Sequence, residues 1–205
     1  MKVIKNNLYA DIKNILEQAR NNAIRAVNFS MVIAYWKIGK RIVDEEQGGK
    51  KRAGYGEFLL KDLAGKLTKN FGKGFTPTNL KYFRQFYLNF SLTQKSHAVS
   101  DELSNISIRS ELSWTHYRLL LSVENGEARK YYMNEAAEQN WSTRTLERQI
   151  NSLYFERLLS SKSKKVLIQK TEKESKEDKP TILDFVKDPY ILEFLSLNLD
   201  IPMNV

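Results

Sequence analysis

The chain has 205 residues, 41% apolar and 11% aromatic, with a formal charge of +9 at pH 7 and no cysteine. That composition excludes a disordered tail protein, a disulfide-stapled scaffold and any thiolate metal site, and the length suits one domain with an appendage. Charges scattered through the first thirty residues exclude a signal-peptide core, and the longest apolar run, Met31 to Trp36, is far short of the roughly 20 residues of a membrane span.

In chain order, residues Asn7 to Gln47 predict one or two helices. Leu8, Ile12, Ile15, Leu16 and Ala19 recur at three- and four-residue spacing, as do Ala23, Ile24, Ala26 and Val27. The stripe continues through Met31, Val32, Tyr35, Trp36, Ile38 and Ile42, and Gly48-Gly49 ends it before an exposed Lys50-Lys51-Arg52 turn. A second helix is expected over Glu57–Phe71, with Leu59, Leu60, Leu63, Ala64 and Leu67 inward and Gly72 at its left-handed exit. Thr76 as cap and Pro77 at the first helical position start a third helix that runs to about Phe90. Its core stripe is Leu80, Phe83, Tyr87 and Phe90; at ~100° per residue, Thr78, Lys81, Tyr82, Gln85 and Asn89 take the opposite face.

Residues Ser91 to Ser110 read as a long polar loop. Ser113 caps a short helix holding Trp114, Tyr117, Leu120 and Leu121, Asn125-Gly126 breaks it, and Glu127–Gln139 forms the next. Ser142 caps a last strong helix to about Leu159, with Trp141 and Leu146 at hydrophobic-staple spacing and Leu146, Ile150, Leu153 and Tyr154 as its buried stripe. Residues 160–180 read as a charged linker, and 181–205 as a short docking helix around Ile182 to Leu197. The expected class is mainly α: a helical bundle over residues 1–159 containing a helix–turn–helix-like unit at 57–90.

Between Lys37 and Arg84 twelve Lys/Arg face only five Asp/Glu, so a net +7 of the chain's formal +9 falls in a stretch that overlaps that unit. A basic cluster on a candidate reading helix is the footprint of nucleic-acid binding, and duplex DNA is the expected partner. In helix–turn–helix docking the first residues of the second helix enter the major groove. Thr78, Lys81, Tyr82 and Gln85 would then reach bases or backbone, while Lys66, Lys69, Lys73 and Arg84 would hold flanking phosphates. The competing interpretation of the same pattern is an ordinary helical hairpin with solvated charges. A second class of function, protein interaction or homodimerisation, would use the long first helix and the Ile182–Leu197 segment.

Catalytic and metal signatures are missing from the pattern. His97 and His116 are the only histidines, and neither has companions at metal-ligand spacing. His116 is therefore expected to be a satisfied surface or half-buried side chain. Gly54-Tyr55-Gly56 and Gly72-Lys73-Gly74 lack the partners of any phosphate-cradling fingerprint, and no cofactor is expected. Ser142 in Trp141-Ser142-Thr143-Arg144 is explained as a helix cap. The Glu174-Ser175-Lys176 and Glu177-Asp178-Lys179 triplets match half of a metal-nuclease motif but sit in a charged stretch without apolar neighbours, so they receive no catalytic role.

Several short runs taken together carry a resemblance. They are Tyr35-Trp36-x-Ile38-Gly39-Lys40, Tyr55-Gly56, Phe71-Gly72-x-Gly74-Phe75-Thr76, Asn79-Leu80, Arg84-x-Phe86-Tyr87, Leu112-Ser113-Trp114, Trp141-Ser142-x-Arg144-x-Leu146 and Lys187 to Leu195. In this order, and over nearly the whole chain, they resemble the helical N-terminal domain of the bacterial YhcG-like family, classed as PD-(D/E)xK nucleases. The resemblance implies a DNA-associated role in restriction, phage defence or mobile-element biology, with a nuclease domain following the helical one, while the absence of cysteine fits the reducing cytoplasm expected for the chain. Because the sequence stops at Val205, just after the segment that would lead into the nuclease, the expectation is a non-catalytic module, truncated or stand-alone.

Overall fold

The structure, a computed structural model, describes residues 6–48, 55–91 and 106–161. The Lys50-Lys51-Arg52 turn, His97, the middle of the polar loop, the 162–180 part of the linker with its two Glu-x-Lys triplets, and the 181–205 segment lie outside the described residues. Within them the class is mainly α, with seven α-helices and a two-residue parallel pairing of Phe90–Ser91 with Ile106–Ser107.

A single helix, α1 (Asn6–Gly48), takes up the whole N-terminal pattern. Its second half is core: Asn28, Met31, Val32, Tyr35, Ile42 and Val43 are buried. Its first half is bare. From Leu8 to Ala23 every described side chain is exposed, the apolar stripe included. Next, α2 (Tyr55–Phe71) begins two residues before its expected start and turns Leu60 and Ala64 inward. Gly72 leaves the helix at φ 90°, ψ −174°, a positive-φ extended conformation open to glycine rather than the left-handed helical one expected. One 3-10 turn, Lys73–Phe75, then leads to Thr76.

As the Thr76-Pro77 signal predicts, α3 (Pro77–Asn89) starts with the Thr76 hydroxyl accepting from the Asn79 amide at 3.2 Å. The Asn79 side chain donates back to the Gly74 carbonyl at 2.8 Å, which ties the turn to the first helical residues. Asn79, Leu80, Phe83 and Phe86 form the buried face of α3. Phe86 takes the place expected for Tyr87, which is half-buried and set edge-on to Trp36 at 4.9 Å. The centre of the molecule is aromatic. Tyr35 of α1 stacks on Phe83 at 4.3 Å, and Trp114 tilts against both at 5.1 Å.

Trp114 belongs to α4 (Trp114–Leu121), followed by α5 (Gly126–Glu138), α6 (Thr143–Asn151) and α7 (Tyr154–Ser160). Asn125 caps α5 through bonds from the Glu127 and Ala128 amides, and Ser142 caps α6 through the Thr145 amide at 3.0 Å. The expected single helix from Ser142 to Leu159 is in fact two. Leu153 adopts φ 51°, ψ 47° between them and is 59% exposed, so it is no part of the buried stripe. The cause lies on α5: the Tyr132 hydroxyl accepts from the Phe155 amide at 3.0 Å and donates toward the Gln149 carbonyl at 3.3 Å. Breaking the helix there lets Tyr154 and Phe155 pack against Tyr131, with ring centroids 6.3 and 5.1 Å away.

Candidate nucleic-acid interface

The outward face of α3 follows from its inward one. Four side chains are committed to the core at three- and four-residue spacing, so Thr78, Lys81, Gln85 and Leu88 are turned to solvent. Thr76 and Pro77 at the start of the helix are exposed too, which leaves the positive end of the helix dipole at the surface. Thr78, Lys81 and Gln85 therefore form one accessible row that begins in the first turn. Tyr82, half-buried, borders that row, and the Arg118 guanidinium from α4 lies 4.9 Å from its ring centroid.

The basic residues divide by their partners. Lys81 and Lys69 are exposed, and among the described residues neither is ion-paired. Lys66 is exposed and pairs with Asp62 one turn earlier at 2.7 Å, a contact water and salt weaken readily. Arg84 is different: its Nε donates to a Glu46 carboxylate oxygen at 2.6 Å, which joins α3 to the end of α1. Its side chain is 40% exposed against 20% for Glu46, so this pair is a clamp between helices. Lys73 lies in the 3-10 turn that links α2 to α3. The α2–turn–α3 segment thus brings Thr78, Lys81, Gln85 and Tyr82 together and assigns Arg84 an internal partner. Arg118 carried no sequence signal; only the packing of α4 on α3 places it beside Tyr82.

His116 is more deeply set than expected, at 3% exposed. Its Nδ1 accepts from the Ser113 amide at 3.2 Å, the reciprocal arm of a capping box, and its Nε2 lies 3.0 Å from the Trp141 carbonyl. An accepting Nδ1 puts the ring proton on Nε2, where it donates to that carbonyl. His116 is therefore fully occupied in joining the start of α4 to the start of α6. Among the described residues no three His, Cys, Asp or Glu side chains gather as metal ligands do. No helix of the described residues is long and apolar enough to cross a membrane.

Comparison with known proteins decides the family. Residues 11–157 match the model of the DUF1016 N-terminal domain. The chain belongs to that family. It is also 34% identical over 210 residues to the protein named "Putative nuclease YhcG" of Escherichia coli (strain K12). That alignment covers 93% of this chain and 56% of the relative, so the chain spans little more than half of the relative's length. No solved structure matches the chain.

Proposed function

We propose that this DUF1016 N-terminal domain binds duplex DNA through the α2–α3 unit and so brings a nuclease of its family to the polymer, without itself performing the cleavage. The observation that carries this proposal is the outward row Thr78, Lys81 and Gln85, which starts at a capped, surface-facing helix N-terminus, with Lys66 and Lys69 exposed on the preceding helix α2. Laid in a major groove, such a helix offers Gln85 and Lys81 to base edges or phosphates, and its first-turn amides face the backbone. Tyr82 and Arg118 would border the groove wall as a ring and a cation already in contact. Arg84 is left out of this set because Glu46 holds it.

Fluorescence anisotropy with a labelled duplex at two salt concentrations tests the proposal. Lys81→Ala with Gln85→Ala should weaken binding by about 1–3 kcal/mol, and loss of the Lys81 phosphate contact should flatten the salt slope by about one unit. Arg84→Ala should lower stability more than it alters the salt slope. A double variant that binds like wild type, or affinity indifferent to salt, refutes the assignment.

A further inference from the structure

The first half of α1 presents a problem of its own. In proteins most helical stability comes from packing of an apolar face rather than from propensity, so an uncovered stripe on this half calls for a covering surface. Leu8, Tyr9, Ile12, Ile15 and Leu16 are 48–70% exposed, and with Ala19 and Ala23 the aliphatic ones follow one helical stripe. The charges beside them are balanced, Asp11 and Glu17 against Lys13 and Arg20, with Lys13 and Glu17 paired one turn apart at 3.8 Å. A membrane surface or a nucleic acid would favour a basic flank, whereas balanced charge suits a protein partner.

We infer that the partner is a second copy of this chain, and that two copies pair antiparallel through residues 8–23 of α1. An apolar stripe is self-complementary across a two-fold axis. The five large side chains expose on the order of 600 Å² per copy, so covering them in both copies reaches the low end, about 1,200 Å² in total, of specific interfaces. With the axis between Ile15 and Leu16, Leu8 comes level with Ala23 of the second copy and Ile12 with its Ala19, so large residues meet small ones. The arm also has the right length: the overlap ends at Ala23, just before Val27 and Asn28, where α1 enters its own core. This pairing holds whether or not α3 meets DNA.

Sedimentation equilibrium of the 205-residue chain, without DNA and at micromolar concentration, should give twice the 23.9 kDa chain mass. Ile12→Glu with Ile15→Glu should return it to 23.9 kDa with unchanged near-UV circular dichroism of the aromatic core, whereas Ile12→Leu with Ile15→Leu should stay dimeric. The chain has no cysteine, so single substitutions read the orientation directly. Under oxidation Leu8→Cys should crosslink to Ala23→Cys in a mixture and not to itself. A monomeric wild-type chain overturns the inference, including one whose arm is covered by its own Ile182–Leu197 segment. A dimer that survives both glutamates, or Leu8→Cys linking to itself, overturns it equally.

Discussion

Gly39 offers a sharp test of the α1–α3 seam that holds the outward face of α3 in place. A Cβ added there would sit 2.0 Å from the Phe83 carbonyl oxygen, 2.7 Å from its carbon and 3.1 Å from the Tyr87 Cβ. Two of these three neighbours are backbone and cannot swing aside, so α1 must withdraw from α3 by roughly 1 Å. A gap of that size forfeits about a quarter to a half of the dispersion attraction across the seam. The contacts at risk include the Tyr35–Phe83 stack at 4.3 Å and the Trp36 indole N–H donating to the Phe90 carbonyl at 2.7 Å.

Alanine's higher helix propensity returns about 1 kcal/mol, against an overpacking cost of up to 3 kcal/mol or more. Gly39→Ala should therefore lose about 2 kcal/mol, or roughly 4–8 °C in Tm for a chain of this length. Equilibrium urea unfolding followed by far-UV circular dichroism measures it. Gly65 supplies the control, being exposed in α2 with nothing within 4 Å of an added Cβ. Gly65→Ala should gain up to about 1 kcal/mol from propensity alone. If Gly39→Ala were as stable as wild type, the close backbone approach would be wrong.

Substitutions at two further positions probe how α4 is fastened to its neighbours. Arg129 donates from Nε and Nη2 to the Val123 carbonyl at 3.0 and 2.6 Å, from Nε to the Leu120 carbonyl at 3.1 Å, and from Nη1 to the Asn89 side chain at 2.5 Å. It caps the end of α4 and fastens it to the end of α3, and burial pulls its pKa below the usual arginine value. Arg129→Met keeps the stem and removes these donors, and should cost about 2 kcal/mol in urea unfolding. His116→Ala should cost about 2–3 kcal/mol, because it removes a capping arm and strands the Trp141 carbonyl. His116→Gln can still reach the Ser113 amide and should recover part of that loss in the same assay.

The elements that were legible in the sequence are those fixed by local chemistry. Thr76-Pro77, Asn125 and Ser142 announce their helices because a short polar side chain beside the first amides stabilises a helix start wherever the chain goes next. The break at Leu153 was illegible because neither Gly nor Pro marks it; it follows from a tyrosine hydroxyl some twenty residues away. Arg84 shows the same limit in the site. Counting charge between Lys37 and Arg84 finds a basic cluster, yet it cannot tell that Glu46, 38 positions earlier, takes one of its guanidinium donors. Arg118 likewise joins Tyr82 only through tertiary packing. Periodicity did predict the stripe from Leu8 to Ala19, but a stripe says that something apolar must cover it, not what does.

The two exposed features of the molecule differ in how they are held, and that bears on what each can do. On α3 the inward face is fixed at several points: Phe83 and Phe86 in the aromatic cluster, Asn79 to the turn, Arg84 to α1 and the Asn89 side chain to Arg129. Its outward row is thus presented by a rigid support, as recognition of a fixed groove requires. Among the described residues the α1 arm enters the core at Val27 and Asn28, and the stretch before it, from Leu8 to Ala23, carries the exposed apolar stripe. If two arms pair, each gains its order from the other and the two α3 faces become linked at a distance set by helix length. Two weak electrostatic contacts would then act as one bivalent contact, with the second governed by effective concentration rather than by bulk concentration. The glutamate pair on the arm should therefore weaken DNA binding without altering any residue of α3, and a long duplex should reveal that loss more strongly than one too short to reach both faces.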